Sequence, residues 1–192
     1  FNAHPGAKKV SIFAVDMLNR AIVAAGGPRN LICCTAEPTI ESAQALMHHP
    51  DLRLLVVTGG PGVVKAAMGA GKKVVAAGPG NPPVVVDDSA NLEQAGEGIV
   101  KGVSLDNNIV CTAEKEILVV NSVADGLKAA MKRHGAYELN ATEISKLEKV
   151  VLEDNHVNKN WVGKDAARIL GEIGTQAPSG TLMLYGEVPE EH

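Results

Sequence analysis

The segment Leu54-Leu-Val-Val-Thr-Gly-Gly-Pro-Gly-Val-Val64 joins a short apolar run to a glycine-rich turn and the start of a helical pattern. The run from Leu54 to Val57 is apolar at every position, which is typical of a strand buried on both faces of a parallel sheet. The turn that follows would direct backbone N–H groups and the positive end of a helix at an anion. This stretch predicts a parallel α/β unit, whose turn either contacts a cofactor phosphate or simply connects strand to helix.

Helical and strand-like patterns alternate on both sides of this segment. The elements predicted in the first part of the chain are a helix from Pro5 to Ala25, a strand over 31–35, a helix over 39–48, a strand over 52–58, a helix over 62–69 and a strand over 73–77. Cys33 and Cys34 lie in the first of these strands, where a free cysteine is expected to be a small buried hydrophobe. The alternation indicates part of a Rossmann-type domain.

The run Gly78-Pro-Gly-Asn-Pro-Pro83 interrupts this order, because three prolines and two glycines in six positions disfavour any regular element. We place a boundary here, with a partial nucleotide-binding domain over 1–80 and a partial α/β catalytic domain over 81–192. The elements predicted in the second part are a strand over 84–86, a helix over 90–103, a strand over 117–120, a helix over 122–134, a helix over 142–152 capped at Thr142-Glu143, a polar linker over 154–159, a helix over 165–173 and a strand over 181–185.

Composition excludes several classes of function. With 192 residues, 45% of them hydrophobic, the chain is long enough to bury a core, and no apolar run approaches the ~20 residues of a membrane helix. A net charge of -4 without a basic block gives no footprint for nucleic acid. Three cysteines without framework spacing indicate a reducing compartment, the cytosol by default. The histidines and cysteines show no metal-ligand spacing, so we expect no metal site.

Cys111 is the best candidate for a covalent nucleophile. It lies in a polar, poorly periodic junction, Ser104 to Glu116, between a helix-like and a strand-like stretch. A thiol becomes reactive when helix ends or cations stabilise its thiolate and solvent reaches it, and such a junction supplies both conditions. The alternative is a buried, inert cysteine in a nucleotide-binding or assembly module. A lone histidine such as His4, just before a helix, is more often a cap or surface residue than a ligand.

Several motifs, in this order, resemble the aldehyde dehydrogenase superfamily. They are His4-Pro5 before a long helix, Val57-Thr-Gly-Gly60, Ala77-Gly-Pro-Gly-Asn-Pro-Pro83, Asp106-Asn-Asn-Ile-Val-Cys111 and Asn160-Trp-Val-Gly-Lys-Asp-Ala166. More narrowly, they resemble the CoA-acylating acetaldehyde and propionaldehyde dehydrogenases of bacterial microcompartments. The resemblance runs through essentially the whole chain. It implies the middle part of an enzyme more than twice as long, and we expect this part alone to be inactive.

The resemblance implies an aldehyde dehydrogenase-like fold that oxidises a short-chain aldehyde to acyl-CoA, with NAD as cofactor and coenzyme A as co-substrate. It implies that the Cys111 thiolate attacks the aldehyde and that the backbone N–H of the same residue helps to hold the oxyanion. The residues implied to bind the cofactor are His4, Pro5, Thr58, Gly59, Gly60 and Val63. The residues implied to line the substrate pocket are Asn108, Ile109 and Thr112. The resemblance also implies a cytoplasmic homo-oligomer that associates with a microcompartment through a segment outside this chain.

One departure from hydrolytic aldehyde dehydrogenases has a chemical interpretation. They carry a Glu just before the glycines that precede the Asn-Pro segment, whereas Lys72 to Asn81 contains no carboxylate. An acyl-cysteine thioester reacts slowly with water unless a base takes the proton, but a thiol ionises readily and is itself strongly nucleophilic. The sequence therefore favours transfer to CoA. The alternatives are a hydrolytic enzyme whose base comes from elsewhere and a non-catalytic nucleotide-binding or assembly module.

Overall fold

The computed structural model describes residues 1–154 and 156–188, which form two compact units. The first unit is Phe1–Pro79 and the second begins at Gly80, one residue before the division expected from the sequence. The assignment of these units to nucleotide binding and catalysis stays a prediction. No helix among the described residues combines the length and apolar character that crossing a membrane requires.

In the first unit, two parallel strands are accompanied by three helices. Its elements are a 3-10 turn Pro5–Ala7, α1 (Lys8–Ala24), α2 (Ile40–His48), β1 (Leu54–Thr58), α3 (Pro61–Met68) and β2 (Lys73–Ala77). β1 and β2 pair in parallel with Val56 opposite Val75, as predicted. Buried Met47, Leu55 and Ala67 form the core, which joins α2 and α3 to β1.

Three expectations for this unit are wrong. Residues 31–35 form no strand, and Cys33 is exposed while Cys34 is half-buried. A strand requires a hydrogen-bonded partner along its whole length. Here Phe1 pairs with the segment at one point: its N-terminus donates to the Cys33 carbonyl at 2.6 Å, and its carbonyl accepts from the Thr35 N–H at 2.9 Å. The sheet is also buried on one face instead of two, since Val56 is 71% exposed while Leu55 is 7% exposed.

The second unit carries more elements. They are β3 (Pro83–Val86), α4 (Leu92–Ser104), a 3-10 turn Leu105–Asn108, β4 (Glu116–Val119), a 3-10 turn Asn121–Val123, α5 (Ala124–Arg133), β5 (Ala136–Leu139), α6 (Ala141–Val151), β6 (Leu152–Glu153), β7 (His156–Val157), α7 (Ala166–Glu172) and β8 (Met183–Gly186). β3 pairs with β4 and β5 with β8, both in parallel, while β6 and β7 pair antiparallel. Neither β5 nor the β6–β7 pair was predicted, and β7 occupies part of the expected polar linker; Asn155 of that linker lies outside the described residues.

The cap of α6 also differs from the expectation, because Asn140 and not Thr142 begins the helix. The Asn140 side chain accepts from the Glu143 N–H, and the Glu143 carboxylate accepts from the Asn140 N–H, each at 3.0 Å. Glu143 is buried and also accepts from the hydroxyls of Tyr137 and Thr175. The Asn140 N–H, followed by these hydroxyls, lowers the pKa of the Glu143 carboxyl, so its stabilising effect is present at neutral pH and is lost on strong acidification.

The core of the second unit depends on close contact between α4 and α5. Buried residues of both helices pack with strand residues in one cluster: Val86, Ile99, Val100, Leu127, Met131, Ala136 and Met183. Gly96 of α4 allows this approach, since a Cβ there would lie 2.7 Å from the Ala130 Cβ and 2.9 Å from the Met131 backbone nitrogen. Gly98, on the same helix, has no atom within 4 Å of the equivalent position.

Gly96→Ala is therefore expected to destabilise the protein by about 1–3 kcal/mol, because the added methyl group forces α4 and α5 apart. Gly98→Ala is the matched control and is expected to stabilise by about 0.5–1 kcal/mol, since alanine is the better helix former. Urea unfolding of the two variants measures both effects. Equal changes in the free energy of unfolding would contradict the packing described for α4 and α5.

Candidate functional site

The loop that carries Cys111 begins with an unusual backbone turn after α4. Asp106, Asn107 and Asn108 have φ values of 50°, 49° and 62°, in the left-handed region. Asn and Asp are the residues other than glycine that adopt this conformation most readily. The Asp-Asn-Asn sequence thus allows the chain to turn away from the helix axis within three residues.

The Asn108 side chain closes this loop across its base. Its amide nitrogen donates to the Val103 carbonyl at 3.0 Å and to the Glu114 carbonyl at 3.1 Å. These acceptors lie near the end of α4 and just before β4, on the two sides of Cys111. The half-buried Asn108 amide therefore fixes the distance between the two ends of the Cys111 loop.

Lys115 reinforces the loop from the β4 side. Its Nζ donates to the Asn108 carbonyl at 3.1 Å, to the Val110 carbonyl at 3.3 Å and to the Asn108 side-chain oxygen. The Val110 carbonyl also accepts from the Ala113 N–H at 3.1 Å. The peptide groups immediately before Cys111 are thereby held by an ammonium group and by a backbone turn.

The segment around Gly163 packs against the same loop. The Asn107 amide donates to the Gly163 carbonyl at 3.1 Å and to the Asp165 carboxylate at 3.0 Å. Gly163 has φ +71°, and a Cβ there would lie 2.5 Å from the Cδ1 atom of Ile109. The Asn160–Ala166 motif therefore lies against the Cys111 loop.

The Gly-Asn-Pro segment before β3 approaches the loop from another side. A Cβ on Gly80 would lie 2.9 Å from the Cys111 carbonyl oxygen. The Lys115 N–H donates to the Pro82 carbonyl at 3.0 Å, and the Asn81 amide donates to the Glu116 carboxylate at 2.7 Å. Glycine at position 80 therefore allows the segment that leads into β3 to pass beside the Cys111 backbone.

The structure brings Asn108, Ile109, Cys111 and Thr112 together on one loop. The last three are exposed, whereas the Asn108 amide is engaged inside the loop. Their roles as nucleophile and pocket residues stay predictions. The sequence did not reveal the contributions of Asn107 and Lys115, because their partners are identified only once the loop is folded. Among the described residues, no group of three or more His, Cys, Asp or Glu side chains is placed to hold a metal ion.

In the first unit, His4 is the N-cap of the turn before α1. Its Nδ1 accepts from the Gly6 N–H at 3.1 Å, which places the proton of the neutral ring on Nε2. Pro5 follows at the first position of the turn, where its missing N–H is not needed. The exposed ring is thus oriented by its own backbone.

The turn from Thr58 to Gly60 leads directly from β1 into α3. Gly59 has φ +155°, and a Cβ there would lie 2.7 Å from the Val63 Cγ1, whereas Gly60 is the N-cap and no atom lies within 4 Å of its Cβ position. The first N–H groups of a helix have no acceptor within it, and they favour an anion. The backbone at Gly60 is thus open on this side, and the cofactor-binding roles of His4, Pro5, Thr58, Gly59, Gly60 and Val63 stay predictions. Val63 is half-buried and packs on the core of this unit.

Comparisons with known proteins agree with this architecture. The aldehyde dehydrogenase family profile matches residues 6–141. The acetaldehyde dehydrogenase (acetylating) EutE of Salmonella typhimurium is 48% identical over 199 residues, covering 100% of this chain and 43% of its own length. The propionaldehyde dehydrogenase from the Clostridium phytofermentans fucose utilisation bacterial microcompartment is 42% identical with a TM-score of 0.90, covering 100% of this chain and 44% of that structure. A Rhodopseudomonas palustris propionaldehyde dehydrogenase, solved with bound CoA and an acylated cysteine, is 43% identical with a TM-score of 0.88 over 100% of this chain and 44% of that one.

The chain belongs to the aldehyde dehydrogenase family. Within it, the relatives named above are CoA-acylating acetaldehyde dehydrogenase and propionaldehyde dehydrogenases. The aldehyde dehydrogenase-like α/β fold predicted from the sequence is confirmed. The chain spans 43% of the length of the EutE relative.

Gly163→Ala tests the contact between the 160–166 segment and the Cys111 loop. The variant is expected to lose about 1.5–3 kcal/mol of unfolding free energy, about 1 kcal/mol of it from the left-handed backbone and the rest from the rotamer change that the added methyl group forces on the exposed Ile109 side chain. Gly174→Ala is the matched control, because Gly174 has φ +80° but no atom within 4 Å of its Cβ position, and it is expected to lose about 1 kcal/mol. Similar losses in the two variants would show that Ile109 and Gly163 do not pack as described.

Proposed function

We propose that this chain is part of a CoA-acylating aldehyde dehydrogenase, which oxidises a short-chain aldehyde to acyl-CoA with NAD and coenzyme A. The observation that carries the proposal is the exposed Cys111 thiol on a loop whose backbone is fixed by Asn107, Asn108 and Lys115. A nucleophile needs access to its substrate and a constant geometry, and this loop provides both.

The relatives support the same chemistry. One is an acetylating acetaldehyde dehydrogenase, and the Rhodopseudomonas palustris structure contains CoA together with an acylated cysteine. Of the three cysteines, Cys33 and Cys34 lie in a segment of the first unit that has no strand or helix. Cys111 lies in the loop that Asn107, Asn108 and Lys115 hold in place. Cys111 is therefore the residue to which we assign the acyl group.

The proposed reaction has two stages at this sulfur. The Cys111 thiolate attacks the aldehyde carbon, and the carbonyl oxygen takes up the negative charge that the Cys111 backbone N–H helps to stabilise. Bound NAD would supply the acceptor for the hydride of this carbon, whose loss would leave a thioester on Cys111. The CoA thiolate then attacks the thioester carbon and the Cys111 thiolate leaves, which gives acyl-CoA and restores the free residue.

The choice of CoA over water depends on a missing base. No carboxylate lies between Lys72 and Asn81, where hydrolytic members of the family are expected to carry a Glu. Water attacks a thioester slowly without such a base, whereas a thiol is ionised far more easily and needs less help. The second candidate, a hydrolytic aldehyde dehydrogenase, would need a base from outside that segment.

We assign the dinucleotide to the first unit and the chemistry to the second. The Gly59-Gly60 turn and the N-terminus of α3 would hold phosphate, since the backbone at Gly60 is open and the helix dipole favours an anion. The oriented ring of His4, followed by Pro5, would face the ribose, and Thr58 and Val63 would complete the pocket. Ile109 and Thr112, both exposed beside Cys111, would contact the aldehyde, together with the loop backbone at Asn108.

The proposal extends to the cellular location and the partners of the enzyme. One of its structural relatives comes from a bacterial microcompartment, so we propose that this protein also works in association with one. Its small-molecule partners would be the aldehyde and CoA. Assembly as a homo-oligomer stays a prediction from the family resemblance.

The proposal is tested by NADH formation in the full-length protein that carries this chain. With aldehyde and NAD, sustained NADH production is expected to require CoA, and Cys111→Ser is expected to lower it more than about a thousandfold because the nucleophile is lost. Cys33→Ser, which replaces another exposed cysteine, is the control and is expected to keep the activity. Sustained NADH formation without CoA would favour the hydrolytic enzyme, and no NADH formation from any aldehyde would favour the non-catalytic module.

A further inference from the structure

We propose that Lys115 is a positioning residue, which orients and polarises the Val110–Cys111 peptide group so that the Cys111 N–H becomes a strong oxyanion donor. The inference rests on the proposed function, because it concerns the charge that develops when Cys111 attacks a carbonyl. Lys115 acts through the peptide group and need not touch the substrate.

The geometry follows from the planarity of the peptide bond. The Val110 carbonyl oxygen and the Cys111 N–H belong to the same peptide group, which is trans, so the two bonds point in opposite directions. The Val110 oxygen accepts from the Lys115 ammonium at 3.3 Å and from the Ala113 N–H at 3.1 Å. With the oxygen fixed on one side, the Cys111 N–H is directed to the other side, away from Lys115.

The ammonium group is itself held by the loop. An ammonium has three N–H donors, and three oxygens surround this one: the Asn108 carbonyl, the Asn108 side-chain oxygen and the Val110 carbonyl. Asn108 is fixed in turn by its bonds to the Val103 and Glu114 carbonyls. An exposed lysine usually extends into solvent, whereas this one is directed back at the main chain of its own loop.

The electrostatic effect is one of cooperativity. An ammonium group that donates a hydrogen bond to the carbonyl oxygen draws electron density from the peptide group. The N–H of that peptide group then becomes a better donor. Donors of this kind matter most when negative charge develops on the reacting oxygen, since a preorganised donor needs no rearrangement at that moment. Lys115 would therefore affect steps that form an oxyanion and leave other reactions of the same sulfur unchanged.

Two reactions of Cys111 in the full-length protein distinguish an effect on oxyanion formation from an effect on the thiolate itself. Iodoacetamide alkylates the thiolate at a saturated carbon, without an oxyanion. p-Nitrophenyl acetate acylates the same sulfur through a tetrahedral oxyanion, needs neither NAD nor CoA, and releases a coloured phenolate. The Cys111→Ser protein gives the background of both reactions.

Lys115→Met is expected to slow the acylation of Cys111 about 10–100-fold, as a weakened oxyanion donor requires, and to leave alkylation within about twofold. Lys115→Gln, which keeps a donor without the charge, is expected to lie between Met and the parent protein. Lys101→Met is the matched control, because exposed Lys101 contacts the Glu97 side chain at 2.5 Å and is expected to leave both rates unchanged.

A parallel loss of acylation and alkylation in the Met and Gln variants would overturn the proposal, since Lys115 would then act on the thiolate or on the fold. Unchanged acylation in both variants would overturn it as well. If Lys115→Met prevents folding, judged by the thermal unfolding midpoint, Lys115→Gln decides between a selective loss of acylation and the results that overturn the proposal. Acylation of Cys111 by p-nitrophenyl acetate requires neither NAD nor CoA. The effect of the Lys115 substitutions can therefore be measured even if the CoA-dependent oxidation of aldehydes fails.

Discussion

The closure of the Cys111 loop by polar side chains is the interaction on which the site depends. A loop between a helix and a strand leaves several carbonyl groups without partners from regular structure, and buried or crowded carbonyls need donors. Here the Asn108 amide and the Lys115 ammonium supply donors to four backbone carbonyls on both sides of the cysteine: Val103, Asn108, Val110 and Glu114. The thiol is thereby exposed on a backbone that has little freedom to move.

Small residues allow other segments to approach this loop. A Cβ on Gly80 would lie 2.9 Å from the Cys111 carbonyl oxygen, and a Cβ on Gly163 would force the Ile109 side chain to move. Gly96 plays the corresponding part in the core, where α4, the helix that leads into the loop, packs on α5. The position of the Cys111 loop therefore depends on three close approaches at which the structure has glycine.

The sequence predicted what depends on local pattern. The continuous apolar run at Leu54 to Val57 indicated parallel pairing, and the polar junction at Cys111 indicated a loop, because both features show in neighbouring residues. Residues 31–35 had the pattern of a strand but bond to the Phe1 backbone and to the Asn19 side chain instead of to a second strand, and a pattern does not specify a partner. The hydrogen bonds of Asn107 to Gly163 and Asp165 cross more than fifty residues, so no local signal could have revealed them.

The central claim is that an acyl group resides on Cys111 during the reaction. The most direct test is mass spectrometry of the full-length protein after acid quenching, with propionaldehyde and NAD present and CoA withheld. The account predicts a propionyl thioester on the peptide that contains Cys111, which disappears when CoA is added before the quench. A modified Cys33 or Cys34 with an unmodified Cys111, or a thioester that persists in the presence of CoA, would contradict it.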